Sequence, residues 1–204
     1  MDKPNGQDYD ESASSRRGIE TREALYRAAA ELIAELGWGS VTTRAVADRA
    51  GVPHGAVGYH FQGRESLLRE AAVRALEDLL ALPVVLASAA TSLTDLLRGT
   101  LEWYASGGLH QSTVALLMES LREADRDERL REPLAKMLGE YRDELTKLIE
   151  RDQARGALRE DVSAEGLAMV ISATIDGIVA HARIDPDLDL AAGGWVILGL
   201  LNKP

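Results

Sequence analysis

The sequence predicts an all-α fold, with a small N-terminal head of short helices on a larger C-terminal helical body. Three observations carry that reading. Apolar residues recur at helical spacing through most of the 204 residues, and no stretch alternates apolar with polar as a half-buried strand does. Stop signals such as Gly37, Gly51, Gly107-Gly108 and Gly156 separate the periodic stretches. The length allows one or two domains with a sizeable core, and there are no internal repeats.

The elements follow in order. Residues 1–15 are rich in Asn, Gly, Gln, Asp and Ser and are expected to be disordered. A first helix is expected from about Thr21 to Leu36, because Leu25, Ala28, Ala29, Leu32, Ile33 and Leu36 keep the helical period. Arg44–Ala50 reads as a second helix with Thr42 as its N-cap. Gly51-Val52 is the turn, at a position where glycine tolerates positive φ. A third helix opens at Pro53, whose missing N–H costs nothing in a first turn, and runs to Tyr59. Val52 and Val57 are expected to face a small core with Val41 and Phe61. Gly63 is an acceptable N-cap for a long helix over Arg64–Ala81, ending before Pro83 and joining head to body. Further helices are expected over Thr91–Ser106, Gln111–Asp125, Asp127–Arg155, Ser163–Arg183 and Leu190–Leu201. Ser92 and Asp95 have capping-box-like spacing, and Pro133 should make the start of its helix irregular. The expected domains are a head at 16–63 and a body at 64–204.

The segment from Thr42 to Leu68 has the shape of a helix-turn-helix. In such a unit the second helix enters the major groove of duplex DNA while the first crosses the backbone. His54, Gly55, Gly58 and Tyr59 remain outward on that second helix, and His60 closes it. His54 would enter the groove first. Tyr59 could give its hydroxyl to a phosphate while its ring packs on the core edge. Arg64, in the first turn of the next helix, would add charge to a phosphate site made by backbone N–H groups.

These residues resemble the DNA-binding domain of the TetR (tetracycline-repressor) family of transcriptional regulators. The resemblance rests on Thr42-Thr43, Ala50-Gly51-Val52, Pro53-His54-Gly55, Tyr59-His60-Phe61 and Arg64-Glu65-Ser66-Leu67, after an amphipathic Leu25–Leu36. It covers roughly Thr21 to Leu68. It implies DNA contacts from Thr42, Thr43, Arg44, Pro53, His54, Gly55, Gly58, Tyr59, His60 and Arg64. One position departs: the family often has two aromatics before His-Phe, and the first is Gly58 here. That removes one phosphate or base-edge contact.

A net charge of -10 is unusual for a DNA binder, but it is unevenly spread. Residues 1–15 hold one Lys against four acids, residues 16–70 eight Arg against seven acids, and residues 71–204 14 basic against 22 acidic groups. The acid sits mainly in the body. Binding should therefore rely on a patch of Arg16, Arg17, Arg22, Arg44 and Arg64 with His54 and His60, Arg16 and Arg17 forming a short arm ahead of the first helix.

The last two helices are apolar nearly all round, so they need burial on most sides. The resemblance implies that they pair across a two-fold axis. Ile171, Ile175, Ile178, Val179, Trp195, Leu198 and Gly199 are the expected dimer residues. A homodimer would place two recognition helices about one DNA turn apart, or a multiple of that, on an inverted-repeat operator. The resemblance also implies a small-molecule pocket in the body. Trp103, Tyr104, Leu117, Met118, Met137, Tyr141, Leu145, Met169, Ala173 and Asp176 could line it, as mainly apolar walls with a few placed polar groups. Each is otherwise ordinary core. Asp176 stands out as an acid inside an apolar helix, where it needs a partner.

Other chemistries find less support. No cysteine is present, so there is no disulfide framework or thiolate metal site. His54 and His60 do not share a helix face, and no carboxylate completes a metal set. No nucleophile sits in a strained turn beside a base. The Arg122–Glu132 run mixes signs like a solvated helix end. No apolar run reaches the ~20 residues of a membrane helix, Leu79–Ala87 being broken by Pro83, so a soluble cytoplasmic protein is expected. The reading is a regulator, most simply a repressor released by a small, mainly apolar ligand and needing no cofactor. Control by a protein partner, or no ligand, is the alternative, with a helical enzyme a third.

Overall fold

The first helix runs further than its apolar stripe. In the computed structural model, which describes residues 6–105 and 111–182 and then 184, 185, 187–189, 192, 196, 197, 199 and 200, α1 spans Gly6–Leu36. It covers residues 6–15, expected to be disordered, and starts well before Thr21. Apolar periodicity marks where a helix is buried. The hydrogen-bonded ladder, once nucleated, extends through polar residues at little cost. Arg16 and Arg17 therefore lie on α1 and not in an arm ahead of it.

A 3-10 turn (Trp38–Ser40) leads to α2 (Thr43–Ala50) and α3 (Gly55–His60), and α4 spans Arg64–Ala89. The body continues with α5 (Leu93–Ala105), α6 (Gln111–Ala124), α7 (Glu128–Ala154) and α8 (Ala164–Ala182). No β-strand occurs among the described residues. Of the expected final helix, residues 192, 196, 197, 199 and 200 are helical.

The chain divides into two compact units, Met1–Ala75 and Leu76–Pro204. The division falls inside α4, not at Gly63, because the first three turns of α4 belong to the head. There Leu67, Leu68, Ala71 and Ala72 are buried, as are Leu25, Ala29, Ile33, Val46 and Ala47. Pro83 lies inside α4, which does not stop at Ala81. The proline forgoes one ladder hydrogen bond, and continued burial offsets the loss: Ala87 is in the body core and Val84 packs against it.

That core joins Leu93, Leu96, Tyr141, Leu145, Leu148, Ile149, Leu158, Ala168 and Ile171. Helix α7 packs on α5, α6 and α8. Asp152 on α7 is fully buried, and its carboxylate accepts from the Leu93 backbone N–H at 2.8 Å. It thereby satisfies a first-turn donor of α5 that would otherwise be orphaned. Ser92 caps the same helix, accepting from the Asp95 N–H at 3.0 Å. Pro133 sits inside α7 without stopping it. Helix α8 is also long and apolar enough to cross a membrane by length and composition, which a search for unbroken apolar runs misses. Its packing on α6 and α7 makes it a body helix.

Candidate nucleic-acid interface and body cavity

The head is built by residues that each meet one conformational demand. The Thr42 side chain accepts from the Ala45 N–H at 3.1 Å and caps α2. Gly51 sits in the left-handed region (φ 68°, ψ 31°), and its N–H closes α2 onto the Ala47 and Asp48 carbonyls. The Ala56 N–H bonds the Pro53 carbonyl at 2.9 Å, but α3 begins at Gly55 with His54 at its N-cap, so Pro53 lies just ahead of the helix and not in its first turn. Val57, Phe61 and Val41 are buried, while Val52 is only partly covered.

Phe61 anchors the far end of α3. Its ring meets Tyr26 of α1 edge-on at 5.3 Å, and the Arg22 guanidinium lies 5.3 Å from the Tyr26 ring and 5.6 Å from Phe61. Arg22 and Tyr26 both donate to Glu70 on α4, at 2.8 and 2.9 Å, and Ser66 donates to its other oxygen at 2.7 Å. Burial pushes the Glu70 carboxyl up, but the bonds from Ser66, Tyr26 and Arg22 outweigh it and hold the group below the usual carboxylate range. Sequence reasoning missed this hub, because its members lie 44 and 48 residues apart.

Two expected phosphate cations have partners within the head. Arg22 is held in the hub. Arg64 turns inward: its Nε donates to the Val41 carbonyl at 2.5 Å, and its other nitrogens reach the Trp38 carbonyl and Glu65. It ties the start of α4 to the 38–41 turn, and its side chain keeps 28 % of its surface exposed. Arg49 is also taken up, by Glu35 at 2.7 Å and Glu31 at 3.3 Å. Arg44 and Arg16 remain exposed, with no side-chain partner among the described residues.

On α3 the outward residues are as expected, with changes of detail. His54 is exposed, and its Nε2 pairs with Asp48 of α2 at 2.7 Å. Tyr59 is 85 % exposed. Its ring does not pack on the core edge but stands edge-on to His60 at 4.9 Å. His60 is partly covered beside Gly18 of α1. A side chain at Gly55 or Gly58 would meet nothing within 4 Å. The face is therefore a low backbone surface flanked by His54 and Tyr59, with Thr43 half-buried and Arg44 exposed on α2.

In the body, Leu79, Pro83, Leu86, Leu96, Thr100, Val114, Leu138, Ser172, Ile175 and Val179 enclose a cavity with Trp103, Leu117, Met118, Tyr141 and Asp176. The last five are among the expected lining residues. The volume open to the centre of a water-sized sphere is about 80 Å³. Met137 and Leu145 are core and not wall, and the Tyr104 side chain lies outside the described residues. Met169 is 59 % exposed and Ala173 is exposed, so both face away from the cavity.

The α8 assignments are thus exchanged. Ile171, expected at a dimer contact, is fully buried, and Ile175 and Val179 line the cavity. Ile178 lies at the boundary, in a shallow groove with Thr174, Gly177 and His181. The exposed stripe is Met169, Val170, Ala173 and Gly177. Helix α8 is apolar on both faces, so composition could not say which face points inward. Trp195 and Leu198 lie outside the described residues; Gly199 is described and its surroundings are open.

A head with an outward-facing second helix of a helix-turn-helix and a body with an apolar cavity define a DNA-binding regulator. Residues 25–71 match the family described as bacterial regulatory proteins, tetR family, and residues 93–193 match the BetI-type transcriptional repressor C-terminal family. The chain belongs to the TetR family of transcriptional regulators. Among solved structures it is similar to a proposed transcriptional regulator of Streptomyces coelicolor A3(2), at 26% identity and TM-score 0.69 over 90% of this chain and 99% of that one. A regulator from Saccharomonospora viridis in complex with choline shares the fold at 19% identity and TM-score 0.78, over 91% and 100%. So does SmeT in its triclosan complex, at 20% and 0.72, over 90% and 92%. None of the curated proteins matches this sequence.

Proposed function

We propose that this regulator is a repressor that binds an inverted-repeat operator as a homodimer and is released when a small, mainly apolar molecule fills the body cavity. The observation that carries it is the outward face of α3, where exposed Tyr59 and His54 flank open backbone at Gly55 and Gly58. That surface lets a groove approach closely. Thr42, Thr43, Arg44, Pro53 and His60 complete it, and Arg64 acts by holding the frame. Arg44 and Arg16 supply the phosphate charge. The BetI-type repressor match supports the direction of control.

Dimerisation is supported by the outer stripe of α8, since an exposed apolar face marks an interaction surface. Effector binding is supported by the cavity and by the choline and triclosan complexes of the two structural relatives. Helix α4 contributes Leu79, Pro83 and Leu86 to the cavity wall and its first turns to the head. A ligand that prefers one setting of α4 shifts DNA affinity by the difference in its own affinity for the two settings.

Selection of bound duplexes from a random pool tests the reading, followed by a metabolite screen for release. The expected product is an inverted repeat bound by two chains. Salt-steep binding to every duplex, with no repeat enriched, would overturn it.

A further inference from the structure

The last turn of α2 sends two charged side chains in opposite directions. Arg49 reaches back to Glu35 and Glu31 of α1. Asp48 reaches forward across the Gly51 turn and accepts from Nε2 of His54, the α3 N-cap, at 2.7 Å. Arg44 stands one helical turn before Asp48, the usual place for a partner on the same helix, yet it makes no pair with it among the described residues and stays exposed. The Asp48–His54 pair adds little stability, because its side chains are 62 % and 52 % exposed and so open to water. What it does is hold one ring in one orientation. A carboxylate only accepts, so the shared proton sits on Nε2. In the neutral ring Nδ1 is then an acceptor, and no capping bond to an α3 N–H uses it.

We propose that Asp48 is a positioning residue that sets base specificity: it fixes His54 so that the free ring nitrogen, Nδ1, accepts from the exocyclic amino group of adenine or cytosine in the major groove. The proposal rests on the DNA-binding reading above and assigns one base-reading position within it. Adenine N6 and cytosine N4 are the amino donors on that groove's edges, whereas guanine and thymine present acceptors there. A ring nitrogen with a free lone pair accepts from the first two and is repelled by the other two. Released from Asp48, the ring exchanges tautomers or turns about its own axis, presents an N–H instead, and tolerates guanine or thymine as well. The open backbone at Gly55, next in the chain, puts no side chain between the ring and the groove. Asp48 itself touches no base in this scheme and acts through His54. An acid on that face otherwise only opposes the phosphates.

Selection of duplexes from a random pool by the full-length protein tests this, at about pH 8, where imidazoles are ordinarily uncharged. The parent chain should enrich adenine or cytosine at one position of each half-site. Asp48→Asn, whose amide both donates and accepts, should relax that position roughly 3- to 10-fold in competition against duplexes carrying guanine or thymine there. Every other position and the melting temperature should be unchanged. His54→Ala should relax the same position, and adding Asp48→Asn to it should alter base preference no further. A gain of affinity on all duplexes with base preferences intact would mean that Asp48 acts by charge alone, and overturns the inference. So does a change of preference that Asp48→Asn still produces in the His54→Ala background, or enrichment of guanine or thymine by the parent at the position His54→Ala relaxes. If the parent enriches no repeat, the operator reading falls with this one; an enriched repeat untouched by Asp48→Asn sinks this inference alone.

Discussion

The head and the body answer differently to the same kind of reading. In the head, short helices meet at residues with single-valued demands: a left-handed glycine at 51, a hydroxyl cap at 42, a proline just ahead of the α3 N-cap. Each constrains where its neighbours point, so the outward face of α3 could be named in advance. In the body, helices are longer and more apolar. Their period gives the helix but not its rotation, and α8 shows the consequence. At about 100° per residue, Met169, Val170, Ala173 and Gly177 fall on one side and Ile171, Ile175 and Val179 on the other. Only packing against α7 decides which side is inside.

The largest expected effect breaks or sharpens that contrast on α8. Ile171→Ala should cost about 2–5 kcal/mol in chemical denaturation, because it empties a fully buried site. Met169→Asp should leave the protomer folded and instead weaken self-association in sedimentation. If Met169→Asp unfolds the chain and Ile171→Ala does not, the rotation of α8 is wrong.

Arg64→Met comes next. It leaves the Val41 and Trp38 carbonyls without their donor and should destabilise the head by roughly 1–3 kcal/mol. DNA affinity should then fall only as far as the folded fraction does. A uniform loss of affinity at unchanged melting temperature would restore the phosphate role first expected of it. Thr42→Ala should cost about 1 kcal/mol through the lost cap, read as a shift in denaturation midpoint.

The smallest effect concerns Asp176. Burial raises its carboxyl above the ordinary aspartate range, with Arg142 pulling the other way. Over the window between those values the folded chain keeps a proton the unfolded chain has lost, so stability falls as pH rises through it. Asp176→Asn should therefore raise the melting temperature slightly at neutral pH, on the order of 1–3 °C. The gain should vanish well below the usual aspartate range. A drop in stability at neutral pH would mean the acid is paired in the folded protein.

The helices and their order were legible because apolar period and stop residues are local signals. What was not legible depends on distant partners. Arg22 and Arg64 look like free cations in the chain; Glu70 and the 38–41 carbonyls, far off in sequence, decide otherwise. Asp152 could not be distinguished from a surface acid of α7 until α5 was placed over it. Pro83 reads as a stop, and only burial of the next turn carries α4 past it.

The account rests on the outward face of α3 meeting DNA, and Gly58→Glu tests it most directly. A side chain there meets nothing within 4 Å, and glutamate favours a helix over glycine, so the melting temperature should hold or rise. The added carboxylate would face the duplex and should weaken binding to a selected operator by more than about 10-fold in a gel-shift titration. A folded variant that binds that operator as tightly as the parent would contradict the account.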